Sequence, residues 1–199
     1  MKKCIAAACA AAFLLCGCAA QEAPPVTQPS ETVELPILGQ PGRSVASVVL
    51  SDIWAQYETQ ERFAVYGGMV EHPVPDAPGD LDMERPEDWT IHCRFPLGCL
   101  QMAEQGASVT HLLSENLFTA VVIRVKETNG LSVLENDWRR ELQHGQWTAV
   151  APERMLLAEV AERYLVMALG SKAYVHTFRQ KLLQAYPNAR VVYEEPITH

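Results

Sequence analysis

Five prolines between Ala19 and Arg43 limit which part of this chain can fold into a packed domain. The segment, AAQEAPPVTQPSETVELPILGQPGR, has no aromatic residue, and proline cannot donate the backbone hydrogen bonds that helices and sheets need. This composition favours an extended, polyproline-like tether of about 3.1 Å per residue. We therefore predict that the folded part of the chain is one domain at residues 44–199.

The residues before the tether are typical of a secretory signal peptide. Met1-Lys2-Lys3 is a short basic start, and an apolar run follows from Cys4 to Gly17. That run of about 14 residues is too short to cross a hydrocarbon core that needs about 20 helical residues. Because no later apolar stretch reaches about 18 residues, we predict no transmembrane helix.

The end of the apolar run, Leu15-Cys16-Gly17-Cys18, resembles the lipobox of bacterial lipoprotein precursors. Cys18 follows a small residue, as the pattern requires, whereas Cys16 follows Leu15 and does not fit. The resemblance implies that residues 1–17 are removed and that Cys18 carries a thioether-linked diacylglycerol and an N-acyl chain such as palmitate. Two or three acyl chains anchor a protein stably.

The resemblance also implies a location. Asp after the lipidated cysteine favours the inner membrane, and Ala19 stands there instead. We therefore expect a cell-envelope protein held by lipid in the outer membrane and facing the periplasm. The alternative is ordinary cleavage near Ala19-Ala20 followed by secretion.

The charge of the chain argues against nucleic acid as a partner. The full chain has a formal charge of −8, and loss of Lys2 and Lys3 with the signal peptide changes it by two, to −10. Nucleic-acid binding depends on clustered Lys and Arg that neutralise phosphates, and the sequence contains no such cluster. The same acidity disfavours polybasic attachment to anionic lipid.

Two cysteines, Cys93 and Cys99, remain once the signal peptide and Cys18 are set aside. In an oxidising periplasm a leftover pair is expected to form a disulfide. The alternatives are two free buried thiols, or a redox or metal site with His92. The redox alternative lacks the tighter C-x-x-C spacing, and a metal needs at least one more protein ligand or a water.

The first half of the domain combines a helix, a loop and a strand. Apolar residues at helical spacing predict a helix within 44–69, and four prolines with many acids predict a loop at 71–88. Alternation in WTIHCRF predicts a strand at 89–95. A helix is expected at 97–115, and LFTAVVIRVKE predicts a strand at 117–127.

In the second half the pattern leaves one choice open. Residues 131–145 fit either a hairpin return after Asn129-Gly130 or a helix, and QWTAV at 146–150 fits a short strand. We predict a helix from Pro152 to Ala168, and prefer helix over buried strand at 163–169 because Leu, Met and Ala favour helices.

The C-terminal elements are clearer. A helix capped by Ser171 is expected at 172–185, and ARVVYEE predicts a closing strand at 189–195. The predicted fold class is α+β or α/β, with strands interleaved with amphipathic helices.

Motifs for catalysis are missing from the sequence. It contains no G-x-S-x-G, phosphate-binding or dinucleotide-binding pattern. No zinc spacing relates the six histidines. We therefore predict no cofactor, no metal and no catalytic residue, and favour a non-enzymatic role. Three tryptophans are candidates for a ligand or partner surface: Trp89, Trp138 and Trp147.

These features favour a lipid-anchored envelope protein that acts as an interaction or assembly subunit or accessory in secretion, conjugation, pilus formation or envelope maintenance. A ligand-binding lipoprotein is the first alternative. An envelope hydrolase whose residues are dispersed along the chain is the second.

Replacing Cys18 by Ala tests the anchor. Without the thiol that accepts lipid, the chain is expected to be released from the membrane or retained as the uncleaved precursor. Membrane fractionation with labelled palmitate measures this, and Cys16→Ala is the matched control that should change nothing in the mature protein. A fully processed, membrane-bound Cys18→Ala protein would contradict the assignment.

Overall fold

The computed structural model describes residues 44–147 and 150–198 of the chain. Within these ranges the chain forms three α-helices: α1 at Val45–Ala55, α2 at Leu131–Gln143 and α3 at Lys172–Ala185. The strands are β1 at Val65–Gly67, β2 at Val74–Pro75, β3 at Gly79–Asp80, β4 at Ala103–His111, β5 at Phe118–Val125, β6 at Arg154–Val160, β7 at Tyr164–Gly170 and β8 at Arg190–Pro196. A π-helical turn at Asp88–His92 and a 3-10 helix at Leu97–Met102 precede β4.

All the strand pairings are antiparallel, and they form one eight-stranded sheet in the order β2-β1-β4-β5-β7-β6-β8. Strand β3 pairs with β4 beside β1. The described chain is therefore an α+β domain with an antiparallel sheet, which makes the predicted mixed class more specific. The tether at 18–43 and Cys18 lie outside the described residues.

Each face of the sheet has its own apolar core. Helices α1 and α3 cover one face, where their buried side chains meet Ala120, Val122 and Val166. Helix α2 and the segment from Trp89 to Cys99 cover the other face. Strand β7 is buried at every residue because an apolar layer covers each face of the sheet there.

The connections explain why the helices lie on opposite faces. Strands β5 and β6 run parallel with β7 between them, and α2 connects them. Strands β7 and β8 run parallel with β6 between them, and α3 connects them. Both crossovers step the same way across the sheet but start from antiparallel strands. Connections of the same hand must therefore place α2 and α3 on opposite faces.

Helix caps follow the sequence closely. The side chain of Ser44 accepts a hydrogen bond from the backbone of Ser47 at the start of α1. Ser171 does the same for Tyr174 at the start of α3, which confirms the predicted cap and helix. Tyr186 donates to Asp52 at 2.8 Å and ties the end of α3 to α1.

Three predictions in the region of the sheet were wrong, each for a physical reason. The helix predicted over 152–168 is the hairpin β6–β7, because strands covered on both faces contain unbroken apolar runs that lack alternation. The helix predicted over 97–115 is the 3-10 helix followed by β4. The six consecutive buried residues of β4 include the polar Ser108, Thr110 and His111, so the sequence shows neither an apolar run nor an exposed polar face there.

The strand predicted at 89–95 is instead the π-helical turn and the residues after it. Trp89 and Phe95 are both fully buried on the α2 face of the sheet, where Phe95 packs edge-on against Trp138 at 5.0 Å between ring centroids. Ile91, which alternation placed inside, is exposed. Packing of the two large rings thus decides the backbone path, and the alternation was coincidental.

The other elements agree with the sequence or resolve a choice, except for the short strand expected at 146–150. Strands β5 and β8 are where they were predicted, and residues 131–143 form α2 rather than a hairpin return. Gln146 and Trp147 are not in a strand, and neither is Val150. The predicted loop at 71–88 is largely irregular, but it contributes β2 and β3 to the sheet edge.

Gly106 in β4 offers a direct test of this packing. A Cβ atom there would lie 2.4 Å from the ring of Trp89, whereas at Gly98 it would meet nothing within 4 Å. We expect Gly106→Ala to lower the free energy of unfolding by about 1–3 kcal/mol, as overpacking does. Urea denaturation measures the change. Gly98→Ala is the matched control, and equal unfolding midpoints for the two variants would contradict the described position of Trp89.

Candidate partner-binding surface

The turn between β4 and β5 carries the most exposed apolar side chains at this end of the sheet. Leu113 is 81% exposed and Leu112 is 59% exposed. Together with neighbours from β1 and the π-helical turn they define what we call the hairpin-end patch: Tyr66, Ile91, His92, Leu112, Leu113 and Glu115.

Local hydrogen bonds hold this turn in one conformation. The backbone of Asn116 donates to the side chain of Ser114 at 3.3 Å, and the backbone of Leu117 donates to the Ser114 carbonyl at 3.1 Å. Thr119 donates from Oγ1 to the Glu115 carbonyl at 3.0 Å. Short polar side chains that bond nearby backbone stabilise turns in this way. The two leucines are thus presented by an ordered loop.

An ion pair joins the turn to the π-helical turn. Nδ1 of His92 lies 3.2 Å from Oε2 of Glu115, and both side chains are half-buried. The hydrogen bond to Glu115 raises the pKa of His92 above its usual value, although partial burial opposes the shift. This contact joins the π-helical turn, which also carries the exposed Ile91, to the turn that carries Leu112 and Leu113.

Tyr66 and Cys93 lie beside this ion pair. Burial raises the pKa of the Tyr66 hydroxyl, and the nearby charge of Glu115 adds to the effect. Burial raises the pKa of the Cys93 thiol strongly, with smaller contributions from Asp88 and Glu115. Because the thiolate is the reactive form of cysteine, Cys93 is not a nucleophile at neutral pH.

An aromatic cluster on the face of the sheet that α1 and α3 cover is linked to this turn. The ring of His111 stacks on Phe63 at 5.1 Å between centroids, and its Nε2 lies 3.5 Å from the Tyr174 hydroxyl. Nδ1 of His111 accepts a hydrogen bond from the backbone of Leu113 at 3.1 Å. Burial lowers the pKa of His111. The backbone of the turn is therefore tied to the aromatic cluster through His111.

The three tryptophans do not meet on one surface. Trp89 and Trp138 are fully buried, and both pack against Phe95. The indole nitrogen of Trp89 donates to the Asp82 carbonyl at 2.7 Å. Neither side chain has surface to offer a ligand or partner. Trp147 is half-buried, and the guanidinium of Arg94 lies 4.6 Å from its ring centroid.

Cys93 and Cys99 are free and buried in the structure. The thiol of Cys99 donates to Oδ2 of Asp137 on α2 at 3.7 Å. Two free buried thiols are one of the alternatives that the sequence left open. The Cys93–Cys99 disulfide stays a prediction.

Residues 44–147 and 150–198 contain no group of three His, Cys, Asp or Glu side chains that could hold a metal ion. No helix in the described part of the chain is long and apolar enough to cross a membrane.

Comparisons with protein-family models, with curated proteins and with solved structures found no match for this chain.

Sequence reasoning missed the hairpin-end patch because it placed Leu112 and Leu113 inside a helix. A usable signal was present: the two leucines stand directly before Ser114-Glu115-Asn116, which are turn-forming residues, and β5 follows. A pair of leucines beside a turn between two strands is expected at a hairpin end, where side chains have little of the sheet to pack against.

Glu115→Gln tests the ion pair. Loss of the negative partner is expected to lower the pKa of His92 toward its usual value, as followed by NMR titration of the imidazole. Because the raised pKa belongs to the folded state, the pair stabilises the fold at pH below the unfolded pKa of 6.5, and that stabilisation is lost as pH rises through the folded pKa. Glu127→Gln, at an exposed position after β5, is the control. An unchanged His92 titration in Glu115→Gln would contradict the pairing.

Proposed function

We propose that this chain is a lipid-anchored protein of the bacterial cell envelope that acts as an interaction or assembly subunit or accessory, and that the hairpin-end patch is its partner surface. The observation that carries the proposal is the pair of exposed leucines, Leu112 and Leu113, on an ordered turn. Exposed apolar side chains grouped on a soluble domain mark sites of protein interaction.

The composition of the patch suits a protein partner. Leucine and isoleucine side chains supply apolar area, and Tyr66 adds an aromatic ring with a polar tip. Around them, His92 and Glu115 form a polar margin. An apolar centre with a polar rim is the usual anatomy of a transient protein interface.

The proposed anchor comes from the sequence alone. Lipid on Cys18 would hold the domain at the outer membrane on the periplasmic side, and residues 18–43 would separate it from the bilayer. The processes in which such a subunit or accessory acts are secretion, conjugation, pilus assembly and envelope maintenance.

An envelope hydrolase is the second candidate, and one observation favours it. Glu115 bonds Nδ1 of His92, which leaves Nε2 of the same ring available to take a proton, as in a base oriented by a carboxylate. The nearest thiol, Cys93, is buried and therefore inert. His92→Gln discriminates the two candidates, since it would abolish hydrolysis of an envelope substrate, whereas loss of the leucines would weaken partner capture.

Substitution of the two leucines tests the proposed interface. The full chain is crosslinked in cells, solubilised in detergent and purified. The stoichiometric envelope partner that copurifies is then quantified. We expect Leu112→Ser with Leu113→Ser to reduce capture at least tenfold, which corresponds to about 1.4 kcal/mol, a modest value for apolar interface anchors.

Val133→Ser is the matched control, because Val133 is an exposed apolar residue on α2 and lies outside the patch. Equal capture by the unsubstituted chain and the double variant would refute the assigned surface. Purification without any stoichiometric envelope partner would refute the interaction role itself.

A further inference from the structure

Three ionisable side chains meet between α2 and the edge of the sheet that β8 forms: Glu135 of α2, Glu159 of β6 and Arg190 of β8. The side chain of Arg190 donates from Nε to Oε2 of Glu159 at 2.9 Å, and its Nη2 pairs with Oε1 of the same carboxylate. Glu135, which is only 5% exposed, lies within hydrogen-bond reach of Glu159. Its own Oε1 is 3.5 Å from Nη2 of Arg190, too far for a good hydrogen bond.

The charges of this cluster do not balance if both carboxyl groups are ionised. One guanidinium, itself largely exposed, would then face one buried and one mostly buried carboxylate. Other charges on the same elements have partners of their own, since Arg139 of α2 pairs with Glu195 of β8 at 2.9 Å. Gln143 of α2 also donates to Oε2 of Glu195 at 3.2 Å and to the Pro196 carbonyl at 3.0 Å. Tyr193 of β8 donates to Asn136 of α2 at 2.9 Å. A shared proton between the two glutamates removes the imbalance.

The proton resides on Glu135. Burial raises the pKa of Glu135 to about 7, with its hydrogen bond to Glu159 as the next cause. Burial alone would also raise the pKa of Glu159, but the bonds from Glu135 and Arg190 outweigh it and lower that pKa below its usual value. Below about pH 7 the cluster is therefore a carboxylic acid donating to a carboxylate that Arg190 holds.

We propose that Glu135, Glu159 and Arg190 form a proton-sensitive clamp that holds α2 and β8 against β6. With the shared proton in place, one hydrogen bond joins α2 to β6 and the guanidinium joins β6 to β8. When the proton leaves, the two carboxylates repel each other, and α2 and β8 loosen together. This clamp lies at the sheet edge formed by β8, and it does not depend on the proposed partner surface at the β4–β5 turn.

The direction of the pH dependence follows from proton binding. In the unfolded or opened chain Glu135 loses its proton near its usual value of 4.5, whereas in the closed structure it keeps the proton to about 7. Between these values the closed state binds more protons than the open state, so the closed state loses stability as pH rises. One proton changes the opening equilibrium at most tenfold per pH unit.

Hydrogen exchange of the full chain tests the clamp. After correction for intrinsic exchange rates, amides of α2 and β8 are expected to open more readily as pH rises from 5 to 7, by up to tenfold per unit. Glu135→Gln keeps a hydrogen-bond donor toward Glu159 and cannot ionise, so it should abolish this pH dependence. Glu141→Gln, an exposed position on the same helix, is the control and should retain it.

Two results would overturn the proposal: a pH dependence in Glu135→Gln equal to that of the unsubstituted chain, or its loss in Glu141→Gln. Carbon-13 NMR of the Glu135 carboxyl in the unsubstituted chain gives a measurement that does not rely on any variant folding. Titration of that carboxyl near pH 7 supports the clamp, and titration near 4.5 would refute it.

Discussion

Strand β7 lies in the middle of the domain with both faces covered, and the other elements are arranged around that requirement. An apolar strand of this kind needs a layer of side chains above and below it. Helices α1 and α3 supply one layer, and α2 with the segment around Trp89 supplies the other. The two crossovers deliver one helix to each face, so topology and burial require the same arrangement.

Local residue preferences identified α3, β8 and the buried strand β5, which is rich in Val with Ile and Thr, but not the buried strands β4, β6 and β7. Helix α3 shows polar residues on one side and a serine cap, and β8 at the sheet edge has a mixture of apolar and charged residues, so each was found. Strand β7 has no polar side, and Leu, Met and Ala in it favour helix when taken alone. Its pairing with β5 and β6 overrides that local preference, and this pairing is not visible in the local sequence.

The candidate surface and the charged cluster illustrate two further reasons why sequence reasoning stops short. Leu112 and Leu113 differ from core leucines only in where the turn puts them, so their identity alone does not indicate exposure. Glu135, Glu159 and Arg190 are far apart in sequence, and only the packing of α2 on the β6–β8 pair brings them together. The aromatic packing of Trp89 was missed for a related reason, because alternation suggested a strand where ring packing imposes a turn.

The place of β7 between β5 and β6 also bears on how the chain reaches its native state. Strand β5 is made early, but its inner partner is not available until Gly170 has been added, since Phe118 pairs with Gly170. Until then β5 presents an open, apolar edge, and α2 must leave a gap one strand wide before β6. The gap closes when the β6–β7 hairpin docks on β5 through β7, and β8, which follows in sequence, then pairs with the free edge of β6. Pairing over such sequence distances slows folding, and an export route that delays folding until the whole chain has crossed would suit this topology.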